Sequence, residues 1–145
     1  MIAVDTNLLV YAHRSGVPEH GTARDAIERA ARSGRGWGIA AACLAEFWSI
    51  VTHPAATGRP STPAEARDFV HALVNDGGAM LWRPGPGFGD RLLQAALDRG
   101  VSGVRVFDLQ IALTAFDNGA SEIWTHDRSF LSLSGLAVRD PLRAA

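Results

Sequence analysis

The sequence predicts an α/β fold: a three-layer α/β/α domain with a central, mostly parallel sheet of four to five strands. Short apolar runs that suit buried strands alternate with longer stretches of helical periodicity. This alternation is typical of parallel sheets covered by helices on both faces. In addition, the first apolar run, residues 1–4, stops at Asp5. An acid is therefore expected at the carboxyl edge of the sheet, where open α/β sheets bind ligands.

The first half of the chain contains clear helix stops and one clear helix start. Pro18, Gly34 and Pro54 interrupt helical patterns. Thr62, followed by Pro63 and by Glu65 three residues after it, has the pattern of a capping box. In order, the predicted elements are a strand at residues 1–4, helices at 6–13 and 19–33, a strand at 37–40, a helix at 41–52, a loop at 55–60 and a helix at 63–75.

The second half continues the alternation and ends with two short strands. Pro84 and Gly87 mark the exit from a third strand, and Gly119 is a suitable residue to end the last long helix. The predicted elements are a strand at residues 79–82, a helix at 88–99, a glycine-rich connection at 101–106, a helix at 108–118 and strands at 122–124 and 136–138.

The composition is that of one ordinary globular domain, predicted to cover residues 1–145. Hydrophobic residues make up 47% and charged residues 20% of the chain, so a sizeable core needs no disulfide. No apolar run approaches the ~20 residues of a membrane span, and the start lacks the basic leader of a signal peptide. The single Cys43 agrees with a reducing compartment. We therefore expect a cytoplasmic protein without membrane association.

The net charge of −1 does not by itself indicate a nucleic-acid binder. If several carboxylates were gathered in one metal site, however, the rest of the chain would be basic. All 14 basic residues are arginine, whose side chain suits bidentate phosphate contacts. The absence of lysine could equally reflect the composition of the genome.

Four acids have a reason to face the sheet edge or the core. Asp5 and Asp127 each follow a predicted strand, so both would lie at the same edge of a parallel sheet. Asp108 projects into the apolar arc of its helix. Glu46 lies at the edge of a stripe formed by Leu44, Phe47, Trp48 and Val51 and widened by Cys43 and Ile50.

Each of these acids also has a simpler interpretation. The three aspartates could serve only as caps of the helix or turn that follows them. Most helical glutamates, such as Glu46, are solvated, and Asp117 is expected to be a surface residue. If the four acids do converge, their mutual repulsion predicts shared protons or a divalent cation. Oxygen ligands without clustered Cys or His favour Mg²⁺ or Mn²⁺.

Four short motifs occur in order along the chain: Val4-Asp5-Thr6-Asn7, Ala45-Glu46-Phe47, Phe107-Asp108, and Thr125-His126-Asp127 followed by Phe130. In this ordered set the sequence resembles the PIN-domain family of ribonucleases, particularly the VapC-type toxins of bacterial type II toxin–antitoxin systems. The resemblance covers nearly the whole chain and implies a PIN-like fold. It also implies a Mg²⁺- or Mn²⁺-dependent endoribonuclease that hydrolyses RNA with metal-activated water and leaves a 5′-phosphate.

The resemblance implies roles for particular residues. The catalytic, metal-binding acids would be Asp5 and Asp108 as direct ligands, with Glu46 and Asp127 acting through water or a second metal. The supporting groups would be Thr6, Asn7 and Thr125. His126 stands where the family often has Asn or Arg; it could donate to a phosphate or be a solvent-facing loop residue. Other candidate phosphate contacts are Arg14, Arg59, Arg105 and Arg128.

The implied partners are an RNA substrate, with tRNA as the family expectation, and a cognate VapB-type antitoxin lying across the acidic groove. A homodimer is implied as well. One alternative is a catalytically silent PIN-like domain that binds RNA or protein. A phosphotransfer fold is disfavoured, because the chain has no lysine and Asn7 occupies the place of the second acid in D-x-D.

Overall fold

A computed structural model describes residues 1–56 and 58–143 of the chain. Strands and helices alternate along these residues as the sequence predicts. In chain order they are β1 Ile2–Val4, α1 Thr6–His13, α2 His20–Arg32, β2 Trp37–Ala40, α3 Ala41–Thr52, α4 Pro63–Asn75, β3 Met80–Trp82, α5 Phe88–Asp98, α6 Arg105–Asp117, β4 Glu122–Trp124 and β5 Ala137–Arg139. None of these helices is long and apolar enough to cross a membrane.

The strands form one five-stranded sheet in the order β3-β2-β1-β4-β5, and every neighbouring pair is parallel. The predicted α/β fold class is thereby confirmed. In the register of β1 and β4, Val4 lies opposite Trp124. Asp5 and Thr125, the residues after these two strand ends, are therefore neighbours at the carboxyl edge in the middle of the sheet.

The central strands are buried because helices cover both faces of the sheet. All three residues of β1 and all four of β2 are inaccessible, and Trp37 and Ile39 are among the largest fully buried side chains. Gly38 lies between them, where a Cβ atom would be 2.4 Å from Cε2 of the Trp82 ring. Packing of β2 against this indole therefore requires glycine at position 38.

The predicted capping box is present at the start of α4. Glu65 N donates to Thr62 Oγ1 at 3.1 Å, and Thr62 N donates to Glu65 Oε1 at 2.9 Å. The loop predicted for residues 55–60 lies between α3 and α4, except that Thr57 is outside the described residues. All element bounds except those of the last long helix agree with the sequence to within one residue.

The predicted start of α6 is wrong. The sequence predicts a helix from residue 108, whereas α6 begins at Arg105. Gly103, with φ of 65°, turns the chain just before the helix, and Phe107 N donates to Val104 O at 3.1 Å in its first turn. The glycine-rich connection therefore ends earlier, and Asp108 lies inside the helix instead of capping it.

Two expectations about side-chain burial are also wrong. In α3 the buried stripe is narrower than predicted, because Trp48 and Ile50 remain 42% and 47% exposed. Asp117 is not a free surface residue: Arg91 donates two hydrogen bonds to its carboxylate at 2.7 and 2.6 Å, and Gly85 N donates a third at 3.0 Å. The hydrogen bonds from Arg91 hold the pKa of Asp117 below its ordinary value.

Candidate functional site

Asp5 occupies the carboxyl end of the central strand with its side chain buried. Oδ1 accepts a hydrogen bond from Thr6 N at 2.7 Å, so Asp5 caps α1, as one interpretation of the sequence proposes. Oδ2 accepts a second hydrogen bond, from the Thr125 hydroxyl at 2.8 Å. The pKa of Asp5 is raised to about 6: burial is the largest cause, the charges of Glu46 and Asp108 act in the same direction, and these hydrogen bonds oppose them.

Thr125, the residue after β4, connects three of the motif residues through one buried hydroxyl. It donates to Asp5 and accepts hydrogen bonds from Asn7 Nδ2 at 3.0 Å and from Asp127 N at 3.1 Å. These three hydrogen bonds use the one donor and both acceptor positions of the hydroxyl. The strand-end acids Asp5 and Asp127 are consequently held in fixed relation to each other.

Glu46 reaches the same edge from α3. Thr6 donates a hydrogen bond from its hydroxyl to Glu46 Oε1 at 3.0 Å, while the rest of the glutamate is exposed. On the same helix, the sulfur of Cys43 lies 3.8 Å from Asp5 Oδ1. Burial raises the pKa of this thiol well above its ordinary value, so it stays neutral and can act as a weak donor. Sequence reasoning did not assign Cys43 to this site.

Asp108 projects from the first turn of α6 and is partly buried. Its Oδ2 accepts a hydrogen bond from Leu131 N at 3.2 Å, which ties α6 to the loop after β4. Burial raises the pKa of Asp108, and the charge of Asp127 adds to the rise. The interpretation of Asp108 as a helix N-cap is thus wrong.

Asp127 is exposed and caps the turn that follows it. Ser129 donates to its Oδ1 from both N, at 2.9 Å, and Oγ, at 3.0 Å, and Phe130 N donates to the Asp127 carbonyl at 3.2 Å. The capping role that the sequence allowed is therefore present. Its Oδ2 accepts no hydrogen bond from any residue that the structure describes.

Together, the four acids form what we call the acidic edge: Asp5, Glu46, Asp108 and Asp127. The charges of Glu46 and Asp108 act on Asp5, and that of Asp127 acts on Asp108. Within residues 1–56 and 58–143, none of the four forms an ion pair with an arginine or a histidine. The acidic edge is thus a set of neighbouring carboxylates without an ion-pair partner among these residues, although the charge of Arg105 lowers the pKa of Asp108 against the effect of burial.

The acidic edge fits a hard divalent cation. Its donors are all oxygen, and a bound cation would supply the missing positive charge. In the described part of the chain, no three His, Cys, Asp or Glu side chains are close enough to share one ion. A cation bound to this arrangement would therefore be held directly by no more than two of the described carboxylates, and waters would complete its coordination.

Three of the four candidate phosphate-binding arginines already have partners within the protein. Both terminal nitrogens of Arg14 donate to backbone carbonyls, those of Val51 and Arg59. Arg59 itself forms a two-pronged pair with Glu65 at 3.0 Å. Arg105 donates to the Ser129 carbonyl at 2.8 Å. These arginines therefore act at least partly in holding loops, whereas Arg128 forms no hydrogen bond with the described residues.

His126 is held in place more firmly than a solvent-facing loop residue would be. Its Nδ1 lies 2.9 Å from Asp140 Oδ2, and its backbone N donates to Asn7 Oδ1 at 3.1 Å. Sequence reasoning did not identify Asp140. The same signal that singles out Asp5 could have found it, because Asp140 directly follows β5.

The model of the PIN domain matches residues 2–136 of this chain. The chain belongs to the PIN-domain family. Ribonuclease VapC43 of Mycobacterium tuberculosis is 34% identical over 142 residues, which cover 98% of this PIN domain chain and 96% of the relative. The predicted resemblance to PIN-domain proteins of the VapC type is confirmed.

Two solved structures share the fold of this PIN domain. Mycobacterium tuberculosis VapC20, described as a Sarcin-Ricin loop cleaving toxin, superposes with a TM-score of 0.66 at 15% identity, covering 90% of this chain and 92% of that one. VapBC2 from Rickettsia felis, bound to a DNA fragment from its promoter, superposes with a TM-score of 0.60 at 16% identity. The match covers 96% of this chain and 98% of that one. At these identities the likeness shows the PIN fold alone.

Proposed function

We propose that this PIN-domain protein is a Mg²⁺- or Mn²⁺-dependent endoribonuclease and the toxin of a toxin–antitoxin pair. The observation that carries the proposal is the buried Asp5 carboxylate, whose neighbours Glu46 and Asp108 are also acids and which has no cationic partner in the described residues. The similarity of the chain, along nearly its whole length, to a VapC ribonuclease supports RNA as the substrate.

In this proposal Asp5 and Asp108 bind the cation directly, and Glu46 and Asp127 bind it through water or hold a second ion. A cation bound there would activate a water molecule and neutralise the charge that develops on the phosphate. No covalent intermediate with the enzyme is needed. The products would carry a 5′-phosphate and a 3′-hydroxyl.

The residues around the acids have positioning roles in this reaction. Thr125 fixes the direction of the Asp5 carboxylate, and Thr6 fixes that of Glu46. The Leu131 N–H does the same for Asp108. Since each carboxylate is oriented by a hydrogen bond before the cation arrives, binding costs little rearrangement.

An antitoxin is the expected regulator. The described acids at the edge form no ion pair with a basic side chain, so a basic side chain of an antitoxin could cover them and block access of the cation and of RNA. The structural similarity to VapBC2 supports a VapB-type protein as that partner. We propose transfer RNA as the substrate class, which is the expectation that the resemblance to VapC-type toxins carries.

A homodimer is supported by exposed apolar side chains on α5 and at the start of α6. Leu93, Leu97, Val104 and Phe107 are 69%, 74%, 76% and 56% exposed. Isolated exposed apolar residues are ordinary, but large side chains this accessible on consecutive elements suit a protein interface. Light scattering after size exclusion should give a dimer for the wild type and a monomer for Leu93→Glu/Leu97→Glu. A monomeric wild type would contradict this part of the proposal.

The function is tested by mapping 5′-phosphate ends in total RNA after brief induction of the protein. The wild type should create new ends at defined positions, and Asp5→Asn should create none. Asp25→Asn is the matched control, because Asp25 is an exposed acid on α2, and it should reproduce the wild-type ends. Binding of RNA without new ends would instead indicate the catalytically silent alternative.

A further inference from the structure

We propose that His126 recognises the 2′-hydroxyl of the RNA ribose, which makes it a specificity-determining residue of the site. The inference rests on the proposed ribonuclease function and names how that site selects RNA. Three observations carry it: the contacts that hold the imidazole, the ring nitrogen left free, and the position of residue 126 directly before Asp127 of the acidic edge.

The imidazole of His126 is fixed on several sides. Its Nδ1 lies 2.9 and 3.1 Å from the two carboxylate oxygens of Asp140. Asp140 is in turn held by Leu142 N at 3.0 Å and by Arg143 Nε at 2.8 Å. The ring also packs edge-on against Tyr11, with 6.1 Å between centroids and 77° between planes. Asp140 is therefore a positioning residue for His126.

This arrangement leaves the other ring nitrogen, Nε2, available. An ionised carboxylate only accepts hydrogen bonds, so Nδ1 carries a proton that it donates to Asp140. Nε2 has no hydrogen-bond partner in residues 1–56 and 58–143, and the same residues contain no buried side-chain nitrogen or oxygen that lacks a partner. Nε2 is consequently open to solvent and to a ligand.

The backbone of His126 adjoins the acidic edge. The backbone N–H of His126 donates to Asn7, whose amide donates to Thr125, whose hydroxyl donates to Asp5. The next residue in the chain is the acid Asp127. In this proposal, a strand of RNA bound at the acidic edge passes residue 126, and its ribose reaches the free nitrogen of the ring.

The other polar side chains in this network are already committed. The hydroxyls of Thr6 and Thr125 are buried and hydrogen-bonded, and the Asn7 amide uses both its oxygen and its nitrogen. The hydroxyl of Ser129 donates to Asp127. Apart from the four acids assigned to the cation, His126 thus keeps a free hydrogen-bonding nitrogen among the described side chains of this network.

The proposed hydrolysis needs a separate group that distinguishes RNA from DNA. Hydrolysis by activated water does not use the 2′-hydroxyl, so RNA and DNA present the same reacting phosphodiester. Selection of RNA then depends on a group that contacts the ribose. A 2′-hydroxyl is both donor and acceptor, so it can bond to Nε2 of the neutral ring and to Nε2–H of the imidazolium. A phosphate oxygen, which only accepts, could bond to the charged ring alone.

The experiment uses a short synthetic RNA that spans a cleavage site mapped in total RNA, and versions in which one nucleotide at a time is 2′-deoxy. Single-turnover cleavage is measured for the wild-type protein and for His126→Phe, which keeps an aromatic ring against Tyr11 but has no nitrogen. Tyr11→Phe is the matched control, since it removes the nearby phenol hydroxyl and keeps that ring contact.

We expect one position near the cleaved bond where the 2′-deoxy substitution slows the wild type and Tyr11→Phe by about 3- to 10-fold, the value of one hydrogen bond. In His126→Phe that sensitivity should disappear, with cleavage of the all-ribose RNA reduced by a similar factor. His126→Asn, which retains a polar side chain, should keep part of the sensitivity to the 2′-deoxy substitution, and it replaces His126→Phe in the experiment if that variant does not fold. Asp140→Leu should lose most of this sensitivity, because the imidazole is no longer held.

The outcomes separate this inference from the proposed function. One outcome is that the wild type cleaves RNA while every 2′-deoxy substitution has the same effect on it and on a folded His126 variant. In that case His126 does not contact the 2′-hydroxyl, and this inference alone is overturned. If the wild type neither cleaves RNA nor generates new 5′-phosphate ends, the proposed function and this inference are both overturned.

Discussion

The Thr125 hydroxyl donates a 2.8 Å hydrogen bond to Asp5 Oδ2 and so joins the ends of the two neighbouring strands β4 and β1. These residues are 120 positions apart in the chain. The same hydroxyl accepts a hydrogen bond from the backbone N–H of Asp127, which is another acid of the edge. The relative placement of two acids thus depends on a single oxygen atom.

Replacement of Thr125 by Val should destabilise the protein. The change keeps the volume but removes the acceptor of Asp127 N, the nearer acceptor of the Asn7 amide and the side-chain hydroxyl that donates to Asp5. We expect the free energy of unfolding in urea to fall by about 2–3 kcal/mol, the cost of unpaired buried polar groups. Thr22→Val, at an exposed position of α2, should change it by less than about 0.5 kcal/mol. Equal effects would contradict the role of Thr125.

The contribution of Asp5 to the stability of the metal-free protein should fall as pH rises, because the pKa of Asp5 is about 6 in the folded chain against an ordinary value of 3.8. Folding favours the protonated carboxyl, so its stabilising contribution is complete below pH 3.8 and is lost as pH rises through 6. Urea unfolding across this window should show a decline of up to about 3 kcal/mol that Asp5→Asn lacks. A decline of the same size in Asp5→Asn would refute the assignment.

Mg²⁺ or Mn²⁺ should reverse this loss. A cation that binds only the folded protein stabilises it, by about 2.7 kcal/mol at a concentration 100 times the dissociation constant. The thermal unfolding midpoint of the wild type at neutral pH should therefore rise with the concentration of either cation. Asp25→Asn should respond like the wild type, whereas Asp5→Asn and Asp108→Asn should respond weakly. No response of the wild type would argue against a metal site.

Gly38→Ala should destabilise the sheet. A Cβ atom at this position would be 2.4 Å from the Trp82 ring, so the indole or strand β2 would have to move. Overpacking of this kind costs about 1–3 kcal/mol, which calorimetry can measure. Gly21→Ala is the control: it lies in helix α2 with no atom within 4 Å of the added carbon, and it should stabilise the protein slightly. A neutral Gly38→Ala would show that the contact relaxes freely.

The sequence predicts the parts of this fold that depend on neighbours in the chain. The capping box of Thr62 and Glu65 needs only residues three apart, and helix α4 begins where that pattern places it. The location of Asp5 at the sheet edge follows from topology, because an acid directly after a buried parallel strand can lie nowhere else. For the same reason Asp140, which follows β5, could have been found.

The remaining features depend on contacts between distant residues. Asp117 has the helical position of a surface residue, yet Arg91 and Gly85, 26 and 32 positions away, enclose its carboxylate. Asp108 has the appearance of a helix cap until the turn at Gly103 moves the start of α6. His126 has the appearance of a loop residue until β5 brings Asp140 beside it. Local patterns do not show which of these distant side chains come into contact.

The central claim, that Asp5 anchors a cation-dependent ribonuclease site, is tested most directly with purified proteins. Cleavage of RNA by the wild type, Asp5→Asn and Asp25→Asn would be followed with added Mg²⁺ or Mn²⁺ and with a chelator. The wild type and Asp25→Asn should cleave only with the cation. Asp5→Asn should be slower by at least about 100-fold, since even groups behind metal ligands contribute 10- to 100-fold. Cleavage by folded Asp5→Asn at the wild-type rate, or by the wild type in chelator, would contradict the claim.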